Sequence, residues 1–360
     1  MVPATLRAEF PVLEKVAYLN AGTCGPLPRS AKMAVGELLA LGTGQGRSTT
    51  YFEATLDRRT RLRDAYAALL GASSDDVALT TCTSEGIVRV LGALDLQPGD
   101  EVLTSDEEHP GLLAPLAAAR ARRGFSVRVA PFAELAGEVG PSTRLVACSH
   151  VSWVTGGVVD ASGLAASGAS VLLDGAQGLG AVPVDVEALG CDFYAASGQK
   201  WLCGPDGSGG LFVRAERMEA LAPSWPGYTA LADPGAALEL RYRHDAARYD
   251  VGVLPGPAGA WSLASLDLFE EAGWSWVHER AASLAEGLAA GLAERGLEVA
   301  PRGRSTLVSW RSADPEAEVR RLAEEGVVVR QLPGRGLVRA SVGAWSEEEE
   351  LERLAVLAGR

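Results

Sequence analysis

The chain has 360 residues, of which 47% are hydrophobic and 22% are charged, a composition typical of a globular protein with a substantial core. This length is sufficient for two domains. A formal net charge of −13 argues against a general nucleic-acid binder, because the phosphate backbone would be repelled.

The first 20 residues contain neither the basic flank and apolar run of a secretory signal nor a span long enough to cross a bilayer. We therefore expect a cytoplasmic protein without a membrane segment. The cysteines show no CxxC spacing, which predicts neither a metal site nor a disulfide framework. They are Cys24, Cys82, Cys148, Cys191 and Cys203.

From about residue 55 to 215, helical segments alternate with short apolar segments that stop at small polar residues. This pattern predicts a parallel sheet with crossover helices. A helix is predicted in "LDRRTRLRDAYAALLG", and a strand followed by a helix in "DVALTTCTSEGIVRVLGAL" and in "DEVLTSDEEHPGLLAPLAAARARRG". Further strands are predicted in "FSVRVAPF", "STRLVACSHVSW", "ASVLLDGAQGLG" and "CDFYAASGQKW". Ligands bind such sheets at the carboxyl ends of the strands.

Residues 216–260 contain several Pro and Gly residues and are predicted to be an irregular connection. Helical spacing follows over 258–297. The remaining sequence predicts strands in "STLVSWRS", "VVVRQLP" and "GLVRASVG", and amphipathic helices in "DPEAEVRRLAEEG" and "SEEEELERLAVLAG". The predicted division is an N-terminal segment over 1–20, a large domain over 21–255 and a small C-terminal α/β domain over 256–360.

Lys200 is one of only three lysines in a chain with thirty arginines. It follows a strand of small residues and precedes the glycine-rich "CGPDGSGGLFV". A buried ammonium is costly without a partner, so this lysine is either exposed or used for its lowered pKa. A Schiff base with a carbonyl cofactor is one such use.

Asp174 ends the apolar strand "ASVLLD", where a carboxylate is poorly solvated unless it meets a cation. It either pairs with a protonated heterocyclic nitrogen, as pyridoxal phosphate requires, or caps a helix. His109 precedes a helix whose first residue is Pro110. Its imidazole either stacks on a ring bound across the strand ends or is structural.

Thr83 and Ser84 lie at a strand-to-helix turn, where hydroxyls and free backbone N–H groups either bind an anion or serve as ordinary caps. Hydroxyls, an imidazole, a carboxylate and a lysine thus follow four separate strands of one predicted sheet. Their combination predicts a single site at the carboxyl edge of that sheet.

Across these segments the chain resembles the class V aminotransferase group of fold-type I pyridoxal phosphate (PLP) enzymes. This group includes cysteine desulfurases, cystine and cysteine-conjugate C–S lyases, kynureninases and isopenicillin N epimerase. The segments that carry the resemblance are "YLNAGTCGPLP", "TSEGI", "EEHPG", "SHVSW", "DGAQ", "SGQKWLCGPDGSGGLFV" and "GLVRASVGAWSEEEELERL". It implies an α/β fold with a mainly parallel seven-stranded sheet in the large domain, a smaller C-terminal α/β domain, a PLP cofactor, an amino-acid substrate and a homodimer with shared active sites.

The resemblance also implies roles for individual residues. Lys200 would bond to the cofactor and act as general base, Asp174 would pair with the pyridine nitrogen, and His109 would stack on the ring. The implied cofactor contacts are Thr83, Ser84, His109, Asp174, Gln177, Ser197, Gln199 and Lys200. Arg339 would grip the substrate carboxylate beside Trp153, and no metal ligand is implied.

The chain departs from the desulfurase pattern in ways that bear on the reaction. Gln199 replaces a phosphate-binding histidine of desulfurases. Trp153 replaces an asparagine of desulfurases, and the cystine lyase branch also has a tryptophan at this place. Val253 replaces a threonine that reaches the partner subunit's phosphate in many relatives. The segment "VVVRQLPGRGLVRAS" lacks the sulfur-accepting cysteine of desulfurases. Cys24 lies in a segment that resembles an active-site lining strand of this group. The resemblance therefore favours a PLP-dependent lyase that eliminates a β-sulfur leaving group. An aminotransferase, an epimerase and a non-catalytic PLP-binding scaffold stay open.

Overall fold

The protein is described from a computed structural model that covers residues 3–250 and 252–360. The strands among these residues are β1 (Ala17–Tyr18), β2 (Val77–Thr80), β3 (Glu101–Ser105), β4 (Ser126–Ala130), β5 (Thr143–Ser149), β6 (Ser170–Asp174), β7 (Phe193–Ser197), β8 (Gly209–Val213), β9 (Leu307–Arg311), β10 (Val327–Val328), β11 (Arg330–Leu332) and β12 (Leu337–Ser341).

The α-helices are α1 (Pro3–Ala8), α2 (Arg29–Gln45), α3 (Thr49–Leu70), α4 (Thr83–Ala93), α5 (Pro110–Arg123), α6 (Ala161–Ala166), α7 (Val186–Leu189), α8 (Ala215–Met218), α9 (Gly256–Ala272), α10 (Trp274–Glu294), α11 (Pro315–Glu324) and α12 (Glu348–Ala358). The predicted helix before Gly71 is confirmed, because this glycine ends α3 with a left-handed φ of 65°. Gly273, with a φ of 87°, divides the helical stretch over 258–297 into α9 and α10.

A seven-stranded sheet in the order β2-β8-β7-β6-β5-β3-β4 forms the centre of the fold. The pairs among β3 to β7 are parallel, and β8 runs antiparallel to both of its neighbours. Buried apolar clusters cover both faces of this sheet. The prediction of a mainly parallel seven-stranded sheet is confirmed, and the carboxyl ends of its parallel strands form one edge.

A second layer contains a three-stranded antiparallel sheet in the order β11-β12-β9, packed with α10, α11 and α12. The predicted strand in "VVVRQLP" divides at Val329. Before this residue, β10 pairs with β1, and after it, β11 pairs with β12. One segment thus joins two sheets, because its two halves have different partners.

Residues 17–20 of the predicted N-terminal segment pair with the C-terminal layer, and the predicted boundary at residue 20 stays a prediction. Ala17 pairs with Val327, and Asn20 forms a parallel bridge with Ser341. The division at 255/256 stays a prediction. Over the described residues, the structure contains no helix that is both long and apolar enough to cross a membrane.

Candidate active site

The carboxyl edge of the central sheet faces the β11–β12 hairpin across a cavity of about 170 Å³. All ten predicted site residues line this cavity: Thr83, Ser84, His109, Trp153, Asp174, Gln177, Ser197, Gln199, Lys200 and Arg339. They come from both layers of the fold. The structure therefore brings the predicted set together in one place, while their individual roles stay predictions.

At one end of the cavity, hydroxyl groups surround the start of α4. The backbone N–H of Thr83 donates to Ser197 Oγ at 3.1 Å, and the two side-chain hydroxyls are 2.5 Å apart. Gln199 Oε1 is buried without a hydrogen-bond partner among the described residues. Small hydroxyls at a helix N-terminus form a site that suits a phosphate group.

Lys200 and Asp174 line the same cavity. Burial raises the pKa of Asp174 although the nearby Lys200 ammonium opposes the shift. Burial also lowers the pKa of Lys200 to about 8, against the attraction of Asp174. About a tenth of Lys200 is therefore neutral at pH 7, and the neutral form is the one that a nucleophilic amine requires.

The carboxylate of Asp174 keeps a free oxygen. Its Oδ1 accepts a hydrogen bond from the backbone N–H of Ala176 at 2.9 Å. Within the described residues, the structure shows no hydrogen bond to Oδ2, although the side chain is only 5% exposed. A buried carboxylate with an unused acceptor is a partner for a protonated ring nitrogen.

His109 caps α5, and its Nδ1 accepts a hydrogen bond from the backbone N–H of Gly111 at 2.9 Å. The proton of the neutral ring is thereby assigned to Nε2. Partial desolvation, with the cations Lys200, Arg330 and Arg339, lowers the pKa of His109 to about 4. The rings of His109 and Trp153 pack edge to face, with their centroids 5.1 Å apart. His109 is thus a neutral ring at the mouth of the cavity.

Arg339 is only 1% exposed, and its Nη1 donates to the carbonyl of Trp153 at 2.7 Å. Its Nε and Nη2 have no partner among the described residues. Burial lowers the pKa of Arg339 to about 9, and the neighbouring Arg330 contributes to the shift. Two unused donors on a buried cation mark a binding site for an anion.

Arg330 is a site residue that sequence reasoning missed. It lies directly opposite Arg339 in the β11–β12 register and donates to Thr23 Oγ1 at 3.0 Å. Like charges in opposed positions repel, so an anion between them relieves the repulsion. Arg330 and Arg339 are equally far from the turn of the hairpin, and residues at equal distances from such a turn pair across the two strands. Counting residues outward from the turn would therefore have placed Arg330 opposite Arg339.

The N-terminal loop closes one wall of the cavity. Gln177 donates to the carbonyl of Gly22 at 2.8 Å and accepts from Trp201 Nε1 at 3.0 Å, so its amide is held in place. A Cβ on Gly22 would lie 2.9 Å from Arg339 Nη2 and 2.8 Å from Ser341 Oγ. Only glycine leaves room here for the arginine.

The β11–β12 hairpin is held by an apolar cluster of Trp153, Val154, Leu332 and Leu337. This cluster joins the two layers of the fold beside the cavity. Trp153 thus contacts the hairpin through its ring and Arg339 through its carbonyl.

The residues present fit PLP. The cavity offers hydroxyls and a helix start for a phosphate, an amine for an aldehyde, and a free carboxylate oxygen for a ring nitrogen. A neutral imidazole also lines it. The unpaired guanidinium donors of Arg339 provide a separate place for a substrate carboxylate.

A fold and a cavity of this kind are those of the class V aminotransferases, and residues 18–354 match the family described as "Aminotransferase class-V". The chain belongs to this family.

Its relatives include a cysteine desulfurase from Klebsiella pneumoniae (strain 342), 32% identical over 299 residues that cover 76% of this chain and 73% of the relative. Isopenicillin N epimerase from Streptomyces clavuligerus is 28% identical, covering 94% of this chain and 93% of the relative.

Among solved structures, the cystine C–S lyase C-DES in complex with its reaction product cysteine persulfide is 30% identical, with a TM-score of 0.91 and coverage of 97% and 99%. A C-DES mutant with glycine covalently linked to the PLP cofactor is 29% identical, with a TM-score of 0.92 and coverage of 98% of each chain.

These likenesses confirm the predicted family, the predicted fold and the prediction of a PLP-dependent enzyme of the desulfurase and C–S lyase group. The roles of the individual site residues and the homodimer stay predictions.

Proposed function

We propose that the protein is a PLP-dependent lyase that eliminates a thiolate or persulfide from the β-carbon of cystine or of a cysteine S-conjugate. The remaining fragment would hydrolyse to pyruvate and ammonia. When bound, the cofactor supplies an electron sink for the α-carbon of the substrate. The residues that would hold it are Thr83, Ser84, His109, Asp174, Gln177, Ser197, Gln199 and Lys200.

Arg339 and Arg330 bind the substrate carboxylate in this proposal. The unused Nε and Nη2 donors of Arg339 form a planar fork that matches a carboxylate. The anion would also neutralise two cations that face each other across the hairpin. Binding therefore orients the amino acid with its α-carbon toward the middle of the cavity.

Lys200 moves the proton. Its pKa of about 8 leaves part of the amine neutral at neutral pH, so it can remove the α-proton as a general base. Asp174 stays charged enough to stabilise a protonated ring nitrogen, since the cation would offset the cost of burying its carboxylate. Trp153 would cover the substrate side chain and exclude water.

The observation that carries the reaction type is the hairpin itself. Strands β11 and β12 are joined by a four-residue turn over 333–336 that contains no cysteine. The apolar cluster with Trp153 holds this hairpin against the central sheet. Because the hairpin offers no thiol to accept sulfur, the leaving group departs with its own sulfur, as in elimination.

The test is to incubate the PLP-loaded protein with cystine, cysteine S-conjugates, cysteine and alanine, each with and without a 2-keto acid, and to measure pyruvate, sulfide, persulfide and chiral amino acids. We expect pyruvate from cystine or an S-conjugate and none from alanine, with Lys200→Ala inactive. Racemised substrate or a newly aminated keto acid without pyruvate would instead establish epimerisation, which the Streptomyces relative favours, or transamination. If none of the substrates gives a product, the remaining interpretation is a non-catalytic PLP-binding scaffold.

We also propose a cytoplasmic homodimer in which each subunit completes its partner's active site. Support for a subunit interface comes from large apolar side chains exposed in the connection over 216–255, of which Trp225 and Tyr228 are each 72% exposed. All five cysteines are free, as is usual in a reducing compartment. We propose no nucleic-acid partner, because the substrate is an amino acid and the net charge is acidic.

A further inference from the structure

Glu108 is a buried carboxylate that the proposed chemistry does not use. It is 1% exposed and lies three residues after the end of β3, directly before His109. Its oxygens accept hydrogen bonds from the hydroxyl of Ser105, from the hydroxyl of Ser149 at 2.5 Å and from the backbone N–H of Ser149 at 3.0 Å. The carboxylate thus ties the ends of β3 and β5 together.

The strand end that Glu108 holds is the one beside Asp174. Ser149 pairs with Asp174 in the parallel register of β5 and β6, and the next residue, His150, donates its backbone N–H to the carbonyl of Asp174 at 2.9 Å. A shift of Ser149 would therefore move Asp174. On its other side Glu108 is bonded to His109, whose ring is fixed by Gly111 and Trp153.

Joining two strands through a buried carboxylate has a high cost in desolvation free energy. Burial raises the pKa of Glu108 to about 7, while its hydrogen bonds from Ser105 and Ser149 oppose the shift. A well-packed apolar residue would join the strands at lower cost. The hydrogen bonds of Glu108 are directional, so they fix the orientation of the adjoining backbone, which apolar packing does not do.

We propose that Glu108 is a positioning residue that sets the His109 ring and the Asp174 strand end in the geometry the cofactor requires. The proposal rests on the proposed function only in taking PLP as the ligand of the cavity. It does not depend on which amino acid is the substrate. Glu108 acts through its two neighbours and not by contact with reacting atoms.

The first test is Glu108→Gln, which keeps the size of the side chain and removes an acceptor. A loosened ring should be seen as a loss of at least half of the visible circular dichroism of bound PLP, without any substrate present. We expect kcat to fall about tenfold with KM little changed, because misplaced groups slow the chemical step. Glu318→Gln is the matched control, since Glu318 accepts a hydrogen bond from Trp310 Nε1 away from the cavity.

The second test is a double-mutant cycle with His109→Ala. Because part of the effect of Glu108 passes through His109, Glu108→Gln should lower kcat by a smaller factor in the His109→Ala background than in the otherwise unchanged protein. Ser149→Ala, which removes one donor and keeps the carboxylate, should give a weaker change of the same kind and serves if Glu108→Gln does not fold. Unchanged dichroism and kcat in Glu108→Gln, or fully additive effects in the cycle, would overturn the proposal. Because dichroism needs only PLP, it separates this failure from a failure of the lyase assay.

Discussion

Arg339 places a positive charge inside the protein and forms no ion pair with a carboxylate of the described residues. Nε and Nη2 of its guanidinium are unpaired among the described residues, and Arg330 stands opposite. Such a group destabilises the unliganded fold, because a buried charge costs free energy unless it is paired. The site is therefore built for an anion that arrives with the substrate.

We predict that Arg339→Met raises the free energy of unfolding of the unliganded protein by about 1–3 kcal/mol. The same change should lower kcat/KM by about 100-fold, because the substrate carboxylate loses its partner. Chemical denaturation and steady-state kinetics measure the two effects. Arg302→Met is the control, since the guanidinium of Arg302 donates to the carbonyls of Leu307 and Ser305 and its loss should destabilise the protein.

The stabilisation by Arg339→Met should depend on pH. The folded state lowers the pKa of Arg339 to about 9, whereas the unfolded chain has the ordinary higher value. The unfolded state thus binds the proton more tightly, so the penalty of the charge is fully present below about pH 9 and declines as the pH rises above it. If the stabilisation by Arg339→Met increased with pH instead, the charge of Arg339 would be paired in the folded protein.

The β11–β12 hairpin carries both arginines, so its packing decides how well they are placed. Leu332 and Leu337 lie against Trp153 and Val154, and this cluster is separate from the larger cores. The residues that surround the cofactor end of the cavity lie instead on the central sheet and its loops. Substrate binding and cofactor binding therefore depend on different elements.

We predict that Leu337→Ala raises KM at least fivefold while the affinity for PLP stays unchanged. The substitution opens a cavity under the hairpin, at a cost of about 2–4 kcal/mol, and loosens both arginines. Leu357→Ala is the matched control, because Leu357 is buried to a similar degree in α12 away from the hairpin. A rise in KM of equal size in both variants would contradict the role given to the cluster.

Much of the site could be predicted because each residue follows its own strand in the local sequence. Lys200, Asp174 and His109 could be placed at one edge of the sheet from the order of strands and helices alone. Arg330 could not, since its place depends on the register between β11 and β12. The division of "VVVRQLP" at Val329 escaped prediction for a similar reason, because β10 takes its partner from the start of the chain.

The whole molecule leaves an apolar surface uncovered on the connection over 216–255. Trp225 and Tyr228 expose most of their surface, and Leu238 is fully exposed. Several large apolar side chains exposed to this degree are typical of a surface that a partner covers. A second copy of the chain is the partner that our proposal assigns to this surface.

We predict that Trp225→Ser together with Tyr228→Ser shifts the protein from dimer to monomer in sedimentation velocity experiments. Because the proposed active sites are shared, specific activity should fall and should recover with protein concentration. Val356→Ser, on the exposed face of α12, is the control and should change neither property. A double variant that stays dimeric would place the interface elsewhere.

The pairing of residues 17–20 with the C-terminal layer has a consequence for biosynthesis. Leu19 donates its backbone N–H to Val328 and accepts from Ser341, more than 300 residues later. A ribosome must therefore translate almost the entire chain before these early residues find their partners. Until then Ala17 and Leu19, which are buried in the finished protein, remain exposed to chaperones and proteases. The loop that holds Gly22 and Thr23 against the arginines is set only at that late stage, so the nascent chain cannot complete its substrate site early.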